Sequence, residues 1–272
     1  MRWMDIAGSI TRYEWRPGTG RPLVLVHEMG GTLNSWDRML AHLRGERPIF
    51  RYDMRGSGLS EKLTDVPYIE ELADDLAHLL DAAGIREPAD LAGSGIGAAV
   101  ALMCASRHPG RVASVVAMSP VTDVPAVRRL SLLDVANRME REGLRSIVDT
   151  HLSTSYAADD DDDPEVFREF RARWIANDPK SFALSYRMLA DLDIRPALGA
   201  ITCPVLVIGA QRDAFRAIAA SQAVADQIPG SQFLALDAVH FMHVQKPAAV
   251  AGALEAFLSN PHCDFTQLST SE

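Results

Sequence analysis

The chain has 272 residues, 47% hydrophobic and 23% charged, a composition that supports one large buried core. Its formal net charge of −9 lacks the basic footprint that a nucleic-acid or anionic-membrane partner requires, so both are excluded as expected partners. The three cysteines, Cys104, Cys203 and Cys263, are odd in number, far apart and free of CxxC spacing, which announces neither a disulfide framework nor a zinc site.

Residues 2–16 alternate loosely and end in Arg16-Pro17-Gly18-Thr19-Gly20, the pattern of an edge hairpin. No apolar leader stands in residues 1–20, and no apolar run reaches the ~18 residues of a membrane helix, so the cytoplasm is the expected location. Leu23–Val26 is a short continuous apolar run, as expected of a strand covered on both faces. A helix is predicted over 36–43 and a strand over 48–53. Ile69–Ala83 places Leu72, Leu76, Leu79 and Leu80 on one helical face, and Gly84 closes it. Ala89–Gly93 reads as a strand and Ile96–Arg107 as the helix after it, with Cys104 expected as a buried, inert thiol. His108-Pro109-Gly110 stops that helix, and Val112–Met118 is another buried strand. Alternating strands and helices imply a parallel sheet with helices on both faces.

The alternation breaks between Thr122 and Leu192, where helical segments follow one another without a strand. Residues 122–192 are therefore expected to be a helical cap inserted into a core formed by 1–121 and 193–260, with 261–272 as a polar tail. Inside the insertion, Asp159–Asp163 reads as a solvated loop, because adjacent like charges repel. It lacks the spaced ligands and glycine of a calcium loop. Strands resume at Pro204–Gly209 and Gln232–Leu236, with helices predicted over 217–228 and 247–258.

Four segments carry the chemistry: His27-Glu28-Met29-Gly30-Gly31, Asp53-Met54-Arg55-Gly56-Ser57-Gly58-Leu59-Ser60, the turn Gly93-Ser94-Gly95-Ile96-Gly97, and Asp213 with His240 after late strands. Together they resemble the α/β-hydrolase superfamily across residues 20–258. "HEMGGTLNSW" is similar to its HGxGG oxyanion segment and "YDMRGSGLS" to its DxRGxGxS turn. "LVIGAQRD" and "LDAVHFMHVQKP" are similar to the segments that deliver its acid and its histidine. The stretch "FRARWIANDP" and the run from Leu189 to Ala210 look most like 3-oxoadipate enol-lactonases and similar small lactone or ester hydrolases.

The resemblance implies a mostly parallel α/β fold and a serine on a strained turn, activated by a histidine that a carboxylate orients. It places the acid at Asp213, the base at His240 and the oxyanion-hole donors at the amides of Met29 and Ile96. Asp123 is the rival acid, because some family members deliver it after the earlier strand. The departure is central. The pattern G-x-S-x-G falls on residues 93–97, and its third position is Gly95. Ser94 stands one residue early as a surrogate, although a one-residue shift across the turn aims it elsewhere. Glycine itself tolerates a strained turn.

Glu28 stands where the family often has glycine; it is either a surface residue or an acid/base in the pocket. His27 is expected to orient the oxyanion loop, Asp53 and Arg55 to tie their turn together, and His243 to be structural. Trp174, Phe182, Met188 and Phe241 are candidates for the pocket wall. Gly93-x-Gly95-x-x-Ala98 also satisfies the dinucleotide fingerprint. That fingerprint opens the first βαβ unit and is followed ~20 residues on by an acid, whereas here strands precede it and residues 115–118 are Val-Val-Ala-Met.

Three functions follow from Gly95. One is a hydrolase-like enzyme for a small lactone, ester or β-diketone, in which glycine has replaced the serine naturally or by engineering. Another is a cofactor-free lyase or isomerase with His240 as acid/base. The last is a non-catalytic small-molecule binder. A small-molecule substrate is the expected partner, a homodimer is left open, and no metal or organic cofactor is implied.

Overall fold

The computed structural model describes residues 1–6, 8–156, 163–261 and 265. The chain opens with a hairpin of β1 (Arg2–Ile6) and β2 (Ser9–Arg16). To these β3 (Leu23–Val26), β4 (Ile49–Tyr52), β5 (Ala89–Ser94), β6 (Val112–Met118), β7 (Val205–Ala210) and β8 (Gln232–Leu236) add an eight-stranded sheet. Its order is β1-β2-β4-β3-β5-β6-β7-β8, antiparallel at β1–β2 and β2–β4 and parallel elsewhere. The fold is thus an α/β-hydrolase fold with the expected hairpin at one edge.

The helices are α1 (Asp37–Leu40), α2 (Ile69–Ala82), α3 (Ile96–Arg107), α4 (Ala126–Glu142), α5 (Val148–Ser155), α6 (Pro164–Ile175), α7 (Pro179–Ala190), α8 (Arg195–Leu198), α9 (Ile218–Gln227), α10 (Met242–Gln245) and α11 (Pro247–Ser259). The two-residue period of a strand sorts its side chains between two layers. Val24 and Val26 pack with Leu72 and Leu76 of α2 and Val100 of α3. Leu23 and Leu25 point the other way, toward Trp36, Met39 and α11 residues Val250, Leu254 and Phe257. Burying each such side chain stabilises the fold by about 1.5–3 kcal/mol, which is why the central strands carry no polar alternation. Cys104 is buried in the first layer, and burial pushes its thiol up to about 12.

Local chemistry sets the helix ends. Gly84, at φ +76°, closes α2, with Ile85 N donating back to Leu80 O. The helix expected over 36–43 is only the short α1, Asp37–Leu40. A 3₁₀ turn over Leu33–Trp36 precedes α1 because Thr32 Oγ1 accepts from Asn34 N, while Ser35 Oγ accepts from Thr32 N.

Between β6 and β7 the chain forms α4 to α7, with their own apolar cluster. Phe170, Trp174, Phe182 and Tyr186 pack there with Phe241, which precedes α10, and with Val244 of α10. Polar contacts tie this insertion to the loops at the carboxyl edge of the sheet. Asn177 Nδ2 donates to Gly30 O at 2.8 Å, and Leu63 N donates to Ser181 Oγ at 3.0 Å. Asp163 caps α6 by accepting from Glu165 N. Asp159–Asp162, Cys263 and nearly all of the tail lie outside the described residues. Among the described residues no helix is long and apolar enough to cross a membrane.

Candidate active site

β5 ends at Ser94 and α3 begins at Ile96, so Gly95 alone makes the turn. Its backbone sits at φ +56°, ψ −113°, a region that L side chains rarely adopt. The three glycines of the turn have different reasons. A Cβ on Gly93 would lie 2.3 Å from Gly97 O, and one on Gly97 would lie 2.2 Å from Val26 O. Both positions are closed by backbone. A Cβ on Gly95 would meet a single atom within 4 Å, His240 Nε2 at 3.7 Å. Ser94 is buried, its hydroxyl has no hydrogen-bond partner among the described residues, and it does not border the cavity described below. One residue of shift at the end of the strand turns its side chain into the protein.

His240 Nδ1 is 2.8 Å from Asp213 Oδ2. The other carboxylate oxygen accepts from Phe215 N at 2.8 Å and Arg216 N at 2.9 Å. Burial opposes the charge on Asp213, but the hydrogen bond and charge of His240 and the Arg216 amide outweigh it and hold the carboxyl below its usual range. The carboxylate fixes Nδ1 as the protonated nitrogen and leaves Nε2 facing Gly95. Asp123, the rival acid, is engaged elsewhere: its Oδ1 accepts from Arg216 Nη2 at 2.9 Å.

The loop after β3 departs from expectation. Glu28 is neither on the surface nor in the cavity. Its Oε1 accepts from Ser35 Oγ at 2.8 Å, and its Oε2 lies 3.1 Å from His243 Nε2. Both residues are sealed from solvent, and the Trp36 ring lies 4.6 Å from that of His243. Burial again opposes charge, but the His243 imidazole, through its charge and hydrogen bond, takes the Glu28 carboxyl down to about 2. Gly31 fits closely beside it: a Cβ there would fall 2.3 Å from Glu28 Oε1, in a carboxylate held by Ser35 and His243.

His27 is also sealed: Met54 N donates to its Nε2 at 2.9 Å, and its Nδ1 reaches Glu28 O at 2.7 Å. It therefore shapes the loop from beneath and does not border the cavity. Asp53 accepts from Leu33 N, Leu59 N and Arg12, and Arg55 pairs with Asp75.

A cavity of ≈ 380 Å³ opens over this turn, bordered by Met29, Gly95, Ile96, His240 and Phe241. Ile96 is the first residue of α3, so its amide has no acceptor within the helix. Trp174 does not border the cavity but packs beneath it, against Phe182 at 4.8 Å. Phe182 and Met188 line a smaller adjoining space.

Sequence reasoning missed His151, Tyr186 and Phe215, all on the cavity wall. His151 and Tyr186 come from α5 and α7, whose lone polar rings have no motif around them. Phe215 stands two residues past Asp213 and was the one with a signal. Its ring lies 5.5 Å from that of His240.

The comparisons with known proteins agree with this fold. Residues 21–159 match the α/β-hydrolase fold family, just over half of the chain. The chain belongs to the α/β-hydrolase family. It is 25% identical to 3-oxoadipate enol-lactonase 2 of Acinetobacter baylyi over 237 residues, covering 87% of this chain and 88% of that protein. A thermophilic esterase from Thermogutta terrifontis superposes with a TM-score of 0.87 at 27% identity, over 97% of this chain and all of that one. The enol-lactonase from Burkholderia xenovorans LB400 has the same fold, with a TM-score of 0.86 at 24% identity, over 95% of this chain and 100% of that one. With such relatives the chain is hydrolase-like.

Proposed function

We propose that this protein hydrolyses a small ester or lactone without a serine nucleophile. Gly95 stands at the family's nucleophile position, and His240, oriented by Asp213, activates water directly. The amides of Met29 and Ile96 form the oxyanion hole, and residues 122–192 serve as a cap over the site. The observation that carries this reading is the direction of the missing side chain at Gly95, which leads only to His240 Nε2, 3.7 Å from where a Cβ would lie.

In this mechanism His240 Nε2 takes a proton from water as the oxygen attacks the substrate carbonyl carbon. The two amides receive the charge that develops on the carbonyl oxygen; one such donor is worth about 3–4 kcal/mol in related chemistry. The imidazolium is stabilised by Asp213 and returns its proton to the departing alkoxide. An ester yields an acid and an alcohol; a lactone yields a hydroxy acid. The step retained from the family is proton transfer, worth about 10²–10⁴-fold in rate.

Turnover of δ-valerolactone and ethyl butyrate tests the reading. His240→Ala is expected to lose about 10²–10⁴ in kcat/KM while Ser94→Ala keeps it, and a fluorophosphonate is expected to leave the wild type unlabelled. Loss of turnover in Ser94→Ala, or labelling at Ser94, overturns it.

A further inference from the structure

His240 is not the only imidazole on the cavity. His151, on α5, borders the same space from the inserted helices. Its ring lies between those of Trp174 and Phe215, at centroid distances of 5.3 and 5.2 Å. Phe215 also neighbours His240, at a centroid distance of 5.5 Å, so both histidines pack against one phenyl ring. The Tyr186 hydroxyl lies 3.3 Å from His151 Nδ1 and 3.4 Å from Nε2.

The two imidazoles differ in their partners. His240 has a buried carboxylate, which supports a proton acceptor. The imidazole of His151 instead has a phenol beside it, that of Tyr186. Arg128, whose guanidinium lies 5.9 Å from the Phe215 ring centroid, adds a positive charge nearby. Burial, with the charges of His240 and Arg128 behind it, takes His151 down to about 4. Burial also pushes the Tyr186 hydroxyl above its ordinary value. Both groups are neutral near pH 7. A neutral imidazole has one acceptor nitrogen and one N–H. The hydroxyl is nearly equidistant from the two nitrogens, so it can partner the acceptor in either tautomer and leave the N–H for a ligand acceptor.

Resting on the hydrolytic reading above, we propose that His151, oriented by Tyr186, is a specificity-determining residue that donates a hydrogen bond to a second oxygen of the substrate. The substrate class is then a carbonyl compound with a further keto or enol oxygen, such as a β-keto ester or an acyl lactone. One oxygen sits at the amides of Met29 and Ile96 and the other at His151. A simple ester fills the first position and leaves the imidazole N–H without an acceptor, which costs affinity.

Binding separates this proposal from the hydrolytic reading, because it needs no turnover. Dissociation constants of 2,4-pentanedione and 2-pentanone, which differ by one keto oxygen, are measured by NMR titration of the whole chain. The wild type is expected to favour the diketone by about tenfold. His151→Phe is expected to bind both about equally, and His151→Gln, which keeps an N–H donor, to restore part of the preference. Tyr186→Phe should weaken the preference while leaving 2-pentanone binding in place. His240→Ala should keep it, even though that variant removes turnover. Melting curves of each variant report folding, and if His151→Phe does not fold, the Gln and Tyr186→Phe variants decide. Equal binding of the two ketones by the wild type overturns the proposal, as does a preference unchanged in the His151 variants. Failure of ester and lactone hydrolysis with the diketone preference intact overturns only the hydrolytic reading.

Discussion

Two histidine–carboxylate pairs stand three residues apart in sequence at their histidines, and they have opposite surroundings. His240–Asp213 borders the cavity, with Nε2 turned toward Gly95. His243–Glu28 is closed off under the same loops, behind Trp36 and Ser35. The first is the pair to which the proposed function assigns proton transfer. The second joins the loop after β3 to α10, and thereby joins the segment carrying Met29 to the segment that follows His240. A charge pair of this kind becomes chemistry only where one nitrogen reaches solvent or ligand; sealed on every side it is architecture.

The largest expected effect is on rate. His240→Ala and Asp213→Asn should each lower kcat/KM on a turned-over ester or lactone by about 10²–10⁴, because one removes the base and the other its tautomer control. Glu28→Gln should change kcat far less. An equal loss of kcat from Glu28→Gln, in a protein that melts like the wild type, would erase the distinction between the pairs.

Stability should show the reverse. Glu28→Ala strands His243 without its partner in a sealed site, and a loss of about 3–5 kcal/mol is expected in denaturant unfolding. Its pH dependence follows from the direction of the shift. The Glu28 carboxyl is depressed to about 2 from its ordinary 4.5. Its contribution is therefore complete above about pH 4.5 and is lost as pH falls toward 2. The wild type should lose about 3 kcal/mol more than Glu28→Gln across that window. Parallel acid limbs for the two proteins would contradict a charged Glu28.

The smallest expected effect is at the turn. Gly95→Ser places an L side chain at φ +56°, which costs about 1–3 kcal/mol in stability. The Cβ itself fits, since only His240 Nε2 comes near. A fluorophosphonate adduct at position 95 is the expected gain, for it would show the turn still shaped for a nucleophile. A folded Gly95→Ser that forms no adduct, and gains no esterase activity, would count against Gly95 as the nucleophile position.

Legibility in the sequence followed the range of the interactions involved. The strands and long helices were readable because hydrophobic period and helix stops are local. Leu72, Leu76, Leu79 and Leu80 are all buried along α2, and Gly84 ends it. His240 and Asp213 were legible as members of a familiar order of segments. Glu28 was misread because its partner is 215 residues away, and nothing near it in sequence announces a buried imidazole. Trp174 was placed in the pocket wall, and instead fills the space beneath it. An aromatic residue on a helix buries well on either side, and the packing of Trp174 against His151 of α5 and Phe182 of α7 chose.

The sequence by itself determined the order of strands and helices, the strand–turn–helix at residues 89–107 and the candidate base and acid. It also determined that no hydroxyl stands at position 95. Tertiary structure decided the rest. It showed that Gly93 and Gly97 are closed by backbone while Gly95 is open toward His240, although all three read alike as letters. It turned Ser94 inward, engaged Asp123 with Arg216, and set His151 and His240 against the same phenyl ring, that of Phe215. The physical reason is one of range. Helix and strand follow from neighbours a few residues apart, whereas a reactive geometry depends on which distant side chains share a desolvated space.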